Sequence, residues 1–512
     1  MARSPYGGTV VDALSDTAIT QRMEIGRRPI AWWPVGLIAA SAALLLLYTA
    51  DGYGYHRDEL YFRMLGEHPQ WGYTDQPPFT PLLVRFGIEL FGDDLWAIRV
   101  LPAVLLGLTA VVAAGIAREA GGGPIAQSLA ATGIFGTFPL TAAHVASTAA
   151  TDLLVWLGVL LLVVRALLWD RPRAWLGAGV VAGLGLYNKH LVILLLVCLG
   201  AGLLIAGPRS VLRSRHLWGG VALAVLIGLP NLIYQVLNGF PQAEMAAAIA
   251  ENKGTESRIL LLPMQIVLLT LPPVWIAGMV TLLRDPRLRR LRSIAVAYPL
   301  MLVVVLVTAG QPYYPLGLLL GLFALGAVPA ERWVIGRGGR QALLAGGVIV
   351  SSVAGAVMSL PVIPARDVAG SFPAAANSTI PDQIGWRQYV WQVAGVHADL
   401  DPVEQRKTVL FTGNYGEAGA LDRFGPALGL PEVYSGHNAL YEFGPPPESK
   451  TIILAVLQAP PERASELIGG CVPKATLSNT LGVENEEVGA RVYLCRRNEP
   501  WSTVWPRLQH YD

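Results

Sequence analysis

A chain of 512 residues that is 53% hydrophobic and only 14% charged, with a mean hydropathy of +0.46, is too apolar for a string of soluble domains and describes mostly lipid-buried helices. A formal net charge of +2, with the arginines scattered among short separated segments, excludes a nucleic-acid partner. Three cysteines exclude a disulfide scaffold: Cys198 lies in an apolar run and reads as inert packing, whereas Cys471 and Cys495 fall in the polar tail, free to pair in an oxidising compartment.

Apolar runs of roughly 17 to 25 residues read as bilayer-spanning helices, because a hydrocarbon core of about 30 Å needs about 20 residues. In chain order, eleven such runs lie near 31 to 49, 97 to 117, 124 to 142, 152 to 169, 174 to 188, 190 to 206, 217 to 236, 259 to 283, 293 to 309, 313 to 330 and 341 to 360. The stretch from 174 to 206 is too long for one span and divides at the polar tetrad Tyr187-Asn188-Lys189-His190. Arg22, Arg27 and Arg28 precede the first span. Alternate connections carry Arg118, then Arg171 and Arg173, then Arg209, Arg213 and Arg215, then five arginines from Arg284 to Arg292, then Arg332, Arg337 and Arg340. Loops rich in Lys and Arg stay in the cytoplasm, so the N-terminus is expected inside and the tail outside. The expected division is a cytoplasmic segment 1–29, a transmembrane domain 30–360 with a first outer loop at 50–96, and an extracytoplasmic domain 361–512. The first run is long, and no small-x-small cleavage site follows it, so it reads as a retained span.

The outward connections then collect the polar oddities. In the first loop Asp58 and Glu59 are adjacent, so on a helix they point about 100° apart and have different tasks. Glu59 stands four residues before Arg63, which predicts an i,i+4 ion pair and leaves Asp58 to face a cavity; solvated interfacial charges are the plainer alternative. Asp152 reads either as a helix N-cap or as a functional carboxylate at the membrane edge. Lys189 is either a snorkelling lysine or a fixed cation for a phosphate. Tyr313 and Tyr314 are either aromatic-belt anchors or cavity residues. No P-loop, dinucleotide fingerprint, zinc-finger spacing or nucleophile elbow occurs.

As an ordered set, Asp58-Glu59, Asp75-Gln76-Pro77-Pro78, Asp152, Lys189 and Tyr313-Tyr314-Pro315 resemble bacterial membrane glycosyltransferases of the protein O-mannosyltransferase and aminoarabinose transferase superfamily, glycosyltransferase family 39 type. The resemblance covers roughly residues 30 to 330 and implies the GT-C fold: an all-α polytopic membrane protein of about eleven transmembrane helices, here followed by a small α/β domain. It implies a multi-pass protein of the bacterial cytoplasmic membrane that moves a sugar from a polyprenyl-phosphate sugar donor to an extracytoplasmic acceptor hydroxyl on protein, lipid or wall glycan. Asp58 would be the general base, with Glu59 and Asp152 as its catalytic companions. Lys189, Arg63 and Gln76 would meet the donor phosphate, and Asp75, His144, Tyr313 and Tyr314 would line the substrate cavity. Two positions depart from the aminoarabinose transferase pattern: Gln76 stands where a lysine is usual, and His190 replaces the glycine that usually follows the inter-helix lysine. Asp58, Asp75 and Asp152 are oxygen ligands open to a divalent cation, without spacing that fixes a coordination set. A transporter or lipid flippase is the competing class, although duplicated halves are not evident.

The tail changes character from about residue 376. Runs at Thr408 to Phe411, Thr451 to Leu457 and Val488 to Cys495 predict strands, and Pro461 to Ile468 predicts a helix between two of them. The glycines from Gly413 to Gly419 predict turns, or a carbohydrate surface on which Tyr415, Tyr434 and His437 meet an acceptor.

Overall fold

The computed structural model describes residues 26–511, so Arg22 and most of the expected N-terminal segment lie outside the described residues. In lipid every backbone polar group must find its partner within the protein, and the apolar runs accordingly form helices. Six of them are single helices long and apolar enough to cross a membrane: Leu95–Glu119, Thr148–Leu168, Arg215–Leu237, Pro286–Thr308, Leu316–Val334 and Gly338–Ser359. Trp32–Tyr48, Ala174–Gly185 and Leu191–Ala206 are shorter apolar helices, the last two separated at the tetrad as the sequence predicts. The chain is a multi-pass membrane protein with an all-α body.

Two of the expected spans are broken. The run at 124–142 divides into Pro124–Thr132, a tight turn at Gly133–Phe135, and Thr137–His144. The run at 259–283 bends by 94° between Pro241–Val267 and Pro272–Arg284, where Leu271 adopts a φ of 46° ahead of two prolines that have no N–H to donate. The breaks meet: Phe138 N donates to Leu268 O at 3.2 Å, and a Cβ on Gly136 would lie 2.8 Å from that oxygen. Irregular backbone is thereby packed against irregular backbone, away from lipid.

The first loop holds helices Arg57–Glu67 and Phe79–Phe91. The second exposes Leu82, Phe86, Leu90 and Phe91, an apolar face suited to lying along a membrane surface.

The tail is an α/β unit around a five-stranded sheet. Its strands are β1 (Thr408–Thr412), β2 (Val433–Ser435), β3 (Ile452–Leu457), β4 (Cys471–Thr476) and β5 (Arg491–Arg496), in the order β2-β1-β3-β5-β4. β1 runs parallel to β2 and β3, whereas β5 is antiparallel to β3 and β4. β1 and β3 are buried throughout, which is why they were visible as apolar runs. β4 is a largely exposed polar edge with an irregular register at Pro473, so no hydrophobic pattern announced it. Cys471 and Cys495 face each other across β4 and β5 and form a disulfide.

One hydrophobic core joins the tail to the first loop. Tyr55, Leu60, Leu65 and Tyr73 from the loop pack with Trp386, Leu410, Ala418, Leu421 and Val492 from the tail. The residues from Tyr415 form a helix, Tyr415–Phe424, rather than the expected turns. Its glycines serve close packing: a Cβ on Gly419 would come within 2.7 Å of the Leu60 backbone.

Candidate active site

Helix Arg57–Glu67 starts at His56, whose Nδ1 accepts from Asp58 N at 3.2 Å while His56 N donates to Glu59 Oε2 at 2.8 Å. This closed cap fixes where the two acids point. Glu59 turns inward and is fully buried. Its Oε1 accepts from Arg99 Nε at 2.9 Å and Ala146 N at 2.8 Å, and its Oε2 also accepts from Arg99 Nη2 at 2.7 Å. The expected Glu59–Arg63 pair is therefore not formed; Arg63 instead pairs with Asp93. A bidentate guanidinium in a buried site outweighs an i,i+4 pair worth a few tenths of a kcal/mol. Arg99 also bonds Gly54 O at 2.8 Å and Gln383 Oε1 at 3.2 Å, and its Nη1 lies 3.2 Å from His144 Nε2. Glu59 and His144 thus belong to a knot that ties the first loop, a broken span and the tail together.

Asp58 points the other way, its side chain about a third exposed at 35%. Oδ1 accepts from the Tyr415 hydroxyl at 2.9 Å, and Oδ2 lies 3.8 Å from His56 Nδ1. Tyr415 is gripped on all sides: the Arg57 guanidinium sits 4.9 Å from its ring, Tyr61 4.7 Å and His437 4.9 Å. Burial and the Asp58 charge hold its phenol well above the ordinary range, so it remains a donor. His437 Nδ1 accepts from Tyr415 N at 3.1 Å, and burial lowers this imidazole to about 2, which keeps it a neutral acceptor. Neither residue lies on the open carbohydrate surface expected of the tail. Tyr61 donates to Asp75 Oδ1 at 3.1 Å, and burial pushes the Asp75 carboxyl up to about 7.

Asp152 is the fifth residue of its helix, whose N-cap is Ser147, so the capping role does not apply. Its Oδ1 is buried, with the Trp156 indole and the Lys189 charge acting on the carboxylate. Lys189 Nζ lies 5.4 Å from the Tyr313 ring and 5.1 Å from the Tyr314 ring, a cation–π cradle in place of a snorkel to water. Tyr313 stacks on Phe138 at 4.4 Å and feels both Asp58 and Asp152. Asp58, Asp152, Lys189, Tyr313 and Tyr415 are thus brought into one cluster. Backbone and side-chain bonds pin the Pro77-Pro78 segment to the lysine turn: Phe79 N to Tyr187 O at 2.9 Å and Thr80 Oγ1 to Asn188 Oδ1 at 2.9 Å. His190 bonds Asn231 at 2.8 Å, and Asn231 Nδ2 holds Trp71 O at 2.8 Å, a structural task that the usual glycine would not perform. Gln76 is buried, with an unpartnered amide nitrogen. Among the described residues no group of three or more His, Cys, Asp or Glu is arranged to hold a metal ion, and Asp58, Asp75 and Asp152 form no such group.

Sequence reasoning missed Arg99 and Tyr61, and named Tyr415 only for a carbohydrate surface on the tail. Arg99 had a signal, since an ionisable residue inside an apolar run marks a polar partner nearby. The pairing of Tyr415 with Asp58 had none, because it follows from a helix packing across 357 residues of chain.

A family model described as dolichyl-phosphate-mannose-protein mannosyltransferase matches residues 75–234, which include Asp75, Asp152 and Lys189 but neither Asp58 nor Tyr313. The undecaprenyl phosphate-alpha-4-amino-4-deoxy-L-arabinose arabinosyl transferase 1 of Pseudomonas fluorescens is 29% identical over 175 residues, 31% of this chain and 30% of that protein. The matched segment therefore spans less than a third of that relative's length. Crystal structures of ArnT from Cupriavidus metallidurans share the fold along most of both chains. The form bound to undecaprenyl phosphate gives a TM-score of 0.58 at 17% identity, covering 91% of this chain and 98% of ArnT. The apo form gives 0.59 at 16% identity, covering 90% and 97%. The partial family match and this shared architecture make the chain similar to GT-C glycosyltransferases of the protein O-mannosyltransferase and aminoarabinose transferase type, with the ArnT fold along most of its length.

Proposed function

We propose that the chain transfers a sugar from a polyprenyl-phosphate carrier to an acceptor hydroxyl at the outer face of the bacterial cytoplasmic membrane, with Asp58 as general base. The observation that carries this reading is the division between adjacent acids: Glu59 is saturated by four hydrogen bonds, whereas Asp58 keeps one carboxylate oxygen open beside the Lys189 cluster. The acceptor oxygen attacks the anomeric carbon as the bond from that carbon to the phosphate oxygen breaks. The acceptor proton passes to Asp58, and the polyprenyl phosphate departs with the electron pair. Tyr415 orients the carboxylate, and Lys189 stabilises the charge growing on the leaving phosphate, with Asp152 positioning the ammonium. Arg63 is spent on Asp93, so the phosphate falls to Lys189 and the free amide of Gln76. Asp75, kept partly protonated near neutrality, offers a sugar hydroxyl a donor as well as an acceptor.

The donor class is supported by the lipid phosphates named in the matching family description and in the ArnT complex. The outer location of the tail, residues 361–512, is supported by its disulfide, which persists in oxidising compartments. The test is Asp58→Asn in purified protein in nanodiscs, supplied with radiolabelled polyprenyl-phosphate sugar and envelope extract. Turnover is expected to fall by at least about 10²-fold at an unchanged melting temperature. Undiminished transfer would overturn the assignment of the base.

A further inference from the structure

A second cavity, of about 720 Å³, opens where Trp32–Tyr48 ends and Leu95–Glu119 begins, roofed by the tail helix Trp386–Ala398. None of Asp58, Asp152, Lys189, Tyr313 or Tyr415 lines it. Its floor reaches Gln383, whose amide oxygen accepts from Arg99, so a single layer of side chains separates it from the Glu59 knot. The size is that of a small-molecule site, and the position, between a membrane body and a soluble domain, is where such sites concentrate.

Tyr55 and Arg423 meet in its wall. Tyr55 is 6% exposed and its hydroxyl interacts with the Arg423 guanidinium, whose Nη2 donates to Asp93 O at 2.8 Å. Around them lie the aromatic surfaces of Trp96, Trp386 and Phe424, the carboxylates of Asp51 and Asp94, and the exposed guanidinium of Arg387, 5.1 Å from the Phe424 ring. The Trp96 indole, 39% exposed, is a flat aromatic face of the kind that takes the C–H face of a pyranose or furanose. Carboxylates, guanidinium and phenol together meet hydroxyls that donate and accept at once. A phosphate would be repelled by Asp51 and Asp94, and a purely apolar ligand would match none of these charged groups.

We propose that this cavity binds a saccharide and holds the carbohydrate part of the acceptor, a role that rests on the glycosyl-transfer reading although the binding itself does not. The saccharide comes either from a free glycan or from a glycolipid headgroup, since the mouth lies at the ends of two apolar helices. The test uses the full chain in nanodiscs with two probe sets: soluble gluco-, galacto-, manno- and arabino-oligosaccharides, and the same sugars on a hexadecyl tail within the disc lipid. The wild-type protein is expected to bind at least one sugar, in the first arm if the source is a glycan and only in the second if it is a glycolipid. Arg387→Ala and Trp96→Ala change exposed residues of the wall, so each should leave the melting temperature unchanged yet weaken binding at least ten-fold. Absence of binding in both arms, or wild-type affinity in both variants, overturns the proposal. Asp58→Asn run alongside separates the two readings. Saccharide binding that survives with transfer unaffected sinks only the base, whereas lost transfer with no saccharide bound sinks only this cavity.

Discussion

Glu487 sits at the joint between tail and first loop at 1% exposure, with neither carboxylate oxygen hydrogen-bonded. Burial, only partly offset by Arg57, raises it from an ordinary 4.5 to about 7. A carboxyl raised in this way holds its proton more tightly in the fold than in the unfolded chain. Its contribution is therefore complete below about pH 4.5 and is lost as pH climbs to about 7, because the unfolded chain ionises first. Glu487→Gln, which mimics the protonated acid, should stabilise the protein by about 3 kcal/mol at pH 8 and leave it unchanged at pH 4. Thermal melts at the two pH values decide; equal shifts would mean that the acid ionises in the fold as it does in the unfolded chain. At this scale the sequence was legible in part. The 100° divergence of Asp58 and Glu59 followed from helix geometry alone, but the partner that claims Glu59 stands forty residues away, inside a run read only for its apolarity.

Among the elements, helix Tyr415–Phe424 sets the site most directly, because its glycine face lets it settle onto helix Arg57–Glu67 and deliver Tyr415 to Asp58. A methyl at position 419 would meet Leu60 backbone at 2.7 Å, and backbone does not yield as a side-chain tip does. Gly419→Ala should therefore cost about 1–3 kcal/mol of stability and, by lifting Tyr415 away, reduce turnover to the level of Tyr415→Phe. Melting temperature and turnover measured on both variants test this. Full turnover in Gly419→Ala would show that the seating of this helix does not position the carboxylate. Glycine spacing in a sequence reads equally as turns or as close helix packing, and only the partner surface distinguishes them. The same ambiguity hid both broken spans. Length and hydropathy predict that a segment is buried, whereas the breaks at Gly133 to Gly136 and at Leu271 exist because each packs on the other.

Across the whole molecule, charge divides the bundle into two ends. Glu119, wholly buried, gathers Arg27 at 2.6 Å, Arg165 at 2.8 Å and Arg118 at 3.3 Å. Asp285 holds Arg287 at 2.9 Å and Arg332 at 3.8 Å, and Arg290 lies 3.6 Å from Asp170. Glu119 closes the helix Leu95–Glu119 at the end opposite the first loop, which shares its core with the tail. That shared core binds site and tail to one side, so the alternating arginine pattern makes one prediction for the whole assembly: site and tail outside. Single cysteines test it directly, because Cys198 is buried and Cys471 and Cys495 are joined, which leaves a low background. In spheroplasts, a membrane-impermeant maleimide should label Glu462→Cys in the tail at once, and Ser210→Cys between Leu191–Ala206 and Arg215–Leu237 only after permeabilisation. Both positions are exposed, so access to reagent is limited only by the membrane. The reverse pattern would put the cluster of Asp58 and Lys189 in the cytoplasm, out of reach of an extracytoplasmic acceptor.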